Sequence, residues 1–194
     1  MTATYLAEAE TETDLVILAQ QGDRNAFGEL VRRHYQGVIR VVYSMCGDSA
    51  LAEDATQEAF LRAWLNLPAF RPSAPLRNWL YRIAINAALD VLRKKPEESL
   101  EENQVTMITD QGQSPETALL EKERVLLVRQ AMKNLPEASR SVLVLREYGE
   151  LSYQEIAQVL DVPVGTVMSR LNYARNKLRE LLKGVLFQME SEHD

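Results

Sequence analysis

Apolar residues recur along this chain at the three-and-four spacing of helices, and strand-like alternation is nearly absent. The pattern predicts a first helix over Glu12–Gln21, stopped by Gly22-Asp23. A second is expected from about Asn25 to Met45, with Phe27, Leu30, Val31, Tyr35, Val38, Val41 and Val42 on one broad face. Gly47-Asp48-Ser49 ends it, and a third helix follows from about Leu51 to Leu65. Pro68, Pro72 and Pro75 exclude a helix interior, so 68–75 reads as a loop. A fourth helix is expected from Leu76 to Lys94. Residues 96–114 then lose all period. They are acidic and poor in aromatics, and read as a flexible linker. Helices resume at Ser114-Pro115-Glu116, with Ser114 as the N-cap and Pro115 in the first turn. That helix should run to about Asn134, another from Leu135-Pro136-Glu137 to near Gly149, and two shorter ones after it. The expected fold class is all-α: four helices, a linker, four helices.

The sharpest local pattern is residues 151–181, LSYQEIAQVLDVPVGTVMSRLNYARNKLREL. Ser152 and Glu155 form the S-x-x-E capping box of a helix start. Ile156, Ala157 and Leu160 face inward, and the small Ala157 lets a second helix cross closely. Asp161-Val162-Pro163 turns the chain. Val167, Leu171, Ala174 and Leu178 continue an apolar stripe. This is the layout of a helix-turn-helix. The opposite face of its second helix offers Thr166, Ser169, Arg170, Asn172, Tyr173, Arg175 and Asn176, donors and acceptors suited to base edges and phosphates. A helical hairpin with a solvated basic face would share much of this pattern. The motif alone does not separate a repressor, an activator or an initiation factor.

Charge changes the picture only when it is mapped. The total is −6, which argues against a nucleic-acid partner. Residues 71–95, however, hold Arg71, Arg77, Arg82, Arg93, Lys94 and Lys95 against Asp90 alone. Residues 163–183 hold Arg170, Arg175, Lys177, Arg179 and Lys183 against Glu180 alone. Local patches, not totals, make a footprint on DNA. In the first patch Phe70, Trp79 and Tyr81 interleave with Arg71, Arg77 and Arg82. Flat rings stack bases and cations track a backbone, the makings of a single-stranded DNA platform. Asn78 and Asn86 could bond exposed base edges, and the loop at 69–75 could shape a pocket for an unstacked base. Trp79 and Tyr81 could equally fill the core.

Composition removes other classes. Hydrophobic residues make up 46%, enough for packed cores. No apolar run is long enough to span a membrane, and the acidic start MTATYLAEAETETD resembles neither a secretory signal nor a transit peptide. A cytoplasmic location is expected. Cys46 is the lone cysteine and sits in the apolar run VIRVVYSMC, where it reads as a small buried hydrophobe. Two distant histidines, His34 and His193, cannot join it in a zinc site. No nucleophile–base set, metal cluster or phosphate-binding glycine loop appears, so neither a catalytic residue, a metal nor a cofactor is expected. The third helix, EDATQEAFLRAWL at 53–65, is amphipathic. Ala55, Ala59, Phe60 and Ala63 supply its apolar surface, and Asp54, Gln57, Glu58 and Arg62 its polar face, which could be merely solvated or could grip a basic coiled coil.

At this point the chain resembles a family. EDATQEAFLRAWLNLPAFR followed by LRNWLYRIAINAALDVLRKK is similar to conserved region 2 of the extracytoplasmic-function (ECF) sigma factors of the sigma-70 family. LPEASRSVLVLREYGELSYQEIAQVLDVPVGTVMSRLNYARNKLRELL is similar to region 4. The likeness covers roughly 14–183, with both motifs in the family's order. It implies region 2 within 1–95, a linker at 96–114, region 4 within 115–183 and a tail at 184–194. It further implies that Asp54, Gln57, Glu58, Phe60, Arg62 and Trp64 meet core RNA polymerase. Phe70, Arg71, Arg77, Asn78, Trp79, Tyr81, Arg82, Asn86 and Asp90 would melt and read the minus-10 element of promoter DNA. Thr166, Ser169, Arg170, Asn172, Tyr173 and Arg175 would read the minus-35 duplex. An anti-sigma factor as regulator and a monomeric state are the family's expectation. Two positions depart from the common pattern. Met168 follows Gly-Thr-Val where many relatives carry Arg or Lys, and Tyr173 stands where the residue is often basic. The minus-35 sequence therefore cannot be copied from a relative. A conventional helix-turn-helix regulator remains the rival. It would need a ligand pocket, a phosphoacceptor or a dimer interface in the N-terminal half, where no receiver-like pattern is seen.

Overall fold

The computed structural model describes residues 11–71, 75–94 and 115–191, with side chains over 124–183 in the last stretch. The described residues form eight α-helices in two packed groups: α1 (Glu12–Gln20), α2 (Arg24–Cys46), α3 (Ser49–Asn66) and α4 (Leu76–Lys94), then α5 (Pro115–Lys133), α6 (Glu137–Glu147), α7 (Tyr153–Leu160) and α8 (Val164–Ser191). One short 3₁₀ turn, Leu67–Ala69, follows α3. The expected all-α fold, four helices and then four, is the one observed. Pro72, the linker 96–114 and the proposed Ser114 cap lie outside the described residues.

Each early helix starts where a short polar side chain can hold the first free N–H groups. Thr11 caps α1 in a reciprocal box with Asp14, Asp23 accepts from Asn25 and Ala26 at the start of α2, and Asp48 accepts from Leu51 at the start of α3. Gly47 ends α2 at φ +68°, a left-handed turn that costs a glycine little. These caps extend the second and third helices by one or two residues beyond their apolar pattern.

The first group is built on a stripe of small residues. Ala52, Ala55, Ala59 and Ala63 of α3 are buried, and so are Ala84, Ala87 and Ala88 of α4. Small side chains at helical spacing let these two backbones approach closely, and the pair forms the centre of the group. α2 covers them with Leu30, Val38, Val41, Val42 and Met45. Cys46 lies in the same core. Burial pushes its thiol pKa up to about 12, so it stays an inert thiol at neutral pH.

The second group packs α6 and α7 on α8. Val142, Val144, Leu145, Leu151 and Ile156 are buried against Val167, Leu171 and Ala174. The final helix differs from expectation. Two shorter helices are expected after Gly149; α7 is short, but α8 runs 28 residues and reaches Ser191, within the region read as a tail. One glycine inside a helix costs only about 1 kcal/mol, and Leu178 still packs on the core just before it, so Gly184 does not stop the helix.

The two groups also touch. α2 meets α6, and α4 meets α7. Arg140 of α6 is buried and donates to three carbonyls: Met45 at 3.0 Å, Lys133 at 2.8 Å and Leu135 at 3.0 Å. One guanidinium thus satisfies carbonyls at the ends of α2 and α5 that helix geometry leaves unpaired.

Candidate polymerase and DNA interfaces

The outer face of α3 is the first surface. Asp54 and Gln57 are exposed, as the amphipathic pattern requires, and Glu58 is half-buried. The other three residues assigned here sit differently. Phe60 is buried, its ring stacked on Tyr35 with centroids 6.3 Å apart. Trp64 is half-buried against Phe27 at 4.9 Å. Phe60 thus supports the helix from beneath, while Trp64 stays partly exposed. Arg62 is bound at both ends, to Glu58 at 2.7 Å and to Asp90 of α4 at 2.7 Å. The pairing with Asp90 first, then Glu58, holds the guanidinium pKa above its usual value, and Arg62 holds the Asp90 carboxyl below the ordinary carboxylate range. Two residues outside the sequence assignment complete the face. Leu61 is 55% exposed and Leu65 68%. With Asp54 and Glu58 they follow the i, i+4, i+7, i+11 spacing of one stripe. That spacing was available in the sequence. A large apolar side chain on a predicted outer face was its signal.

α4 and the turn before it form the second surface. Gln20 of α1 donates to the carbonyls of Leu67 at 3.0 Å and Phe70 at 2.9 Å, which pins the turn. Phe70 is buried and packs on Trp79 with centroids 4.9 Å apart, so these rings form one unit with Trp79 outermost. Arg71, Arg82 and Asn86 are exposed. Asp90 is spent on Arg62, which neutralises a carboxylate that would otherwise repel phosphate. Asn78 and Tyr81 do not face solvent: they are only 3% and 4% exposed. Asn78 Nδ2 donates to Glu155 Oε1 of α7 at 3.2 Å, and Arg77 pairs with the same oxygen at 3.6 Å. Tyr81 is pressed between Gly37 of α2 and Gly149. A methyl added at Gly37 would meet the phenol oxygen at 2.8 Å, and one at Gly149 the ring at 3.2 Å. Burial raises the Tyr81 hydroxyl pKa.

The third surface is α8, presented by the turn before it. Ser152 Oγ accepts from the Glu155 N–H at 3.3 Å, while Glu155 Oε2 accepts from the Ser152 N–H and Oγ–H at 2.8 Å each. The capping box is complete as the sequence implies. Those bonds, the Ser152 backbone N–H first, hold the Glu155 carboxyl below its usual pKa. Asp161 takes the left-handed conformation at φ +53°, and the Val162 N–H returns to the Ala157 carbonyl at 3.0 Å, closing α7. Thr166 and Arg170 are half-buried; Ser169, Asn172, Tyr173 and Arg175 are exposed, as is Met168. Ser169 donates to the Thr166 carbonyl at 3.0 Å, and Arg175 pairs with Glu147 of α6 at 2.8 Å. Arg170 has no ion pair among the described residues. No group of metal-ligating side chains occurs among the described residues, and no described helix is long and apolar enough to cross a membrane.

The family model of sigma-70 region 2 matches residues 30–97, and that of sigma-70 region 4 matches 126–178. The ECF RNA polymerase sigma factor SigW of Bacillus subtilis is 35% identical, over 84% of this chain and 92% of its own length. The ECF RNA polymerase sigma-E factor of Escherichia coli is 36% identical, over 92% of this chain and the whole of its own. Among solved structures, CnrH in complex with the cytosolic domain of CnrY superposes with a TM-score of 0.66 at 31% identity, covering 88% of this chain and 96% of that one. The sigma factor RpoE of Bartonella quintana, solved with the anti-sigma factor NepR, shares the fold at TM-score 0.63 and 23% identity, over 81% of this chain and 96% of that one.

Proposed function

This chain belongs to the extracytoplasmic-function sigma factors of the sigma-70 family, and on that premise we propose how its three surfaces divide the work of promoter recognition. An alternative sigma factor binds core RNA polymerase and directs initiation at its own promoters. α3 is the polymerase surface, with Asp54, Gln57 and Glu58 as polar contacts and Leu61 and Leu65 as apolar anchors. An acidic rim steers a basic partner, and leucines that become buried on binding supply affinity. The turn at Phe70–Arg71 and the face of α4 open and read the minus-10 element. Trp79 stacks an unpaired base, Asn78 and Asn86 bond base edges, and Arg71, Arg77 and Arg82 follow the phosphates. α8 enters the major groove of the minus-35 element. Arg170 is its principal reader and Thr166, Ser169, Asn172, Tyr173 and Arg175 flank it.

The observation that carries this reading is the pairing on one chain of a capped helix-turn-helix with an aromatic and cationic helix on a separate helical group. Neither surface needs chemistry of its own. We read the protein as a cytoplasmic, non-enzymatic and monomeric initiation factor without a cofactor. An anti-sigma factor is its proposed regulator. That proposal draws on the family resemblance and on CnrH, which shares this fold and was solved with the cytosolic domain of CnrY.

Purified protein added to cognate core polymerase with a genomic promoter library tests the proposal. New start sites sharing a two-part upstream motif are expected. If no complex with core forms and no new transcripts appear, the reading fails and a conventional helix-turn-helix regulator takes its place.

A further inference from the structure

Between Asp161 and Arg170 the chain carries no charged residue, so the first turns of α8 present a neutral surface. Helix geometry divides that surface. Val167, Leu171 and Ala174 are buried in the core. On the outward face Val164 and Met168, one turn apart, lie along one edge, and Thr166 and Arg170 lie along the other, with Gly165, Ser169 and Asn172 between them. Met168 is 54% exposed and Val164 38%. A β-carbon at Gly165 would meet nothing within 4 Å, so beside these two side chains the helix backbone lies open to close approach. Ser169 spends its hydroxyl hydrogen on the Thr166 carbonyl at 3.0 Å, which leaves its oxygen as an acceptor. Arg175, further along the edge of Met168, is held by Glu147 at 2.8 Å.

An apolar side chain at the tip of a helix in the major groove meets one apolar feature there, the C5-methyl group of thymine. Guanine is commonly read by a cation that reaches O6 and N7 together, and this tip has no cation before Arg170. We propose that Met168, with Val164 beside it, selects thymine in the stretch of the minus-35 element that the first turns of α8 reach. The choice of base rests on the assignment of α8 to the minus-35 duplex. Methionine suits the task, because its unbranched, polarizable thioether adapts to an irregular surface. Ser169 adds a second feature. In an A·T pair the adenine N6 donor stands beside the thymine methyl, and the Ser169 oxygen can accept from it. The outward face of α8 is thereby divided: the Met168 edge reads an A·T pair, and the Arg170 edge supplies the charged contact.

The test removes one methyl group at a time. A promoter library read with wild-type holoenzyme supplies the minus-35 element. Each of its thymines, in either strand, is then replaced by deoxyuridine, which lacks the C5-methyl and keeps every hydrogen bond of the pair. Holoenzyme affinity, measured at one fixed salt concentration, should fall about fourfold at one or two positions, the worth of one methyl-sized group buried at the contact. Met168→Ala should lose a similar factor on the thymine promoter and bind the thymine and deoxyuridine promoters alike at those positions. Met168→Leu, still apolar, should keep the distinction. Because Met168 is exposed, core polymerase binding and the melting temperature should be unchanged in both variants. The proposal is overturned if every deoxyuridine promoter binds wild-type holoenzyme as the parent does, if Met168→Ala still distinguishes the two bases, or if the element consists of G·C pairs alone. Scrambling the whole minus-35 block separates the choice of base from the assignment of the helix. If scrambling weakens binding and deoxyuridine does not, α8 reads the duplex without Met168, and only the thymine choice falls. If scrambling changes nothing, α8 is not the reader, and both fall.

Discussion

Arg170 and Arg175 sit five positions apart on α8, yet their surroundings assign them different roles. Arg175 is held by Glu147 at 2.8 Å, so it must give up a partner before it can take a phosphate. Arg170 has no such debt among the described residues. Arg170→Ala should therefore weaken minus-35 duplex binding by about 1–3 kcal/mol and relax its sequence preference, the behaviour of a base contact. Arg175→Ala should weaken binding less and across all sequences, with a shallower salt dependence. Mobility shifts of holoenzyme on matched and mismatched promoters at two salt concentrations check this. Trp79 carries the corresponding prediction on α4. Base stacking on an aromatic ring is worth about 1–3 kcal/mol, so Trp79→Ala should lower promoter opening tenfold or more while polymerase binding changes far less. Permanganate footprinting beside a core-binding titration measures both. Equal loss of polymerase binding in all three variants would indicate misfolding.

Helices α3 and α7 show how one element serves packing on one face and function on the other. The alanine stripe of α3 is buried against α4, and that close packing turns Leu61 and Leu65 outward. Burying a leucine at an interface gains about 1.5–3 kcal/mol. Leu61→Asp should therefore reduce core polymerase affinity at least tenfold and leave the melting temperature within a degree or two, as surface substitutions do. In α7, Ser152→Ala removes one half of the capping box and should destabilise the C-terminal half by about 1 kcal/mol, read by urea titration. The pH dependence has a definite sign. The Glu155 carboxyl is held below its usual 4.5 in the folded chain. Its contribution is complete above that value and is lost as pH falls through the lowered pKa. Acid should loosen the helix-turn-helix start and the contact with Asn78 together, and Ser152→Ala should flatten this acid limb.

For the molecule as a whole, the distribution of charge outweighs its sum. On the proposed reading, two basic surfaces on a chain of net charge −6 should each hold DNA weakly by themselves. Polymerase fixes their spacing, and the second contact then becomes intramolecular. The overall negative charge should suppress non-specific binding by the free subunit. The isolated protein should thus bind random duplex at least a hundredfold more weakly than holoenzyme binds a promoter, measured by fluorescence anisotropy at physiological salt. Comparable affinities would contradict this division of labour.

Local physics made much of the protein legible in its sequence. Helical spacing, the prolines at 68–75 and the Ser152–Glu155 box depend on neighbours within a few positions, and they placed most of the helices and the helix-turn-helix. The family likeness then supplied proposed roles for residues along α4 and α8. What lay beyond the sequence depends on partners distant along the chain. Amphipathicity put Phe60 on the apolar face and the family likeness put it at the polymerase; in the fold its ring is buried on Tyr35 of α2, while the exposed Leu61 and Leu65 went unremarked. The spacing of Arg62 and Asp90 holds no hint of their mutual bond across α3 and α4. Asn78 looked available to a base edge until the 77-residue separation between it and Glu155 closed into a hydrogen bond, and Tyr81 took the core position that the sequence had left open. The energy of such a bond depends on distance in space, and only the tertiary structure sets that distance.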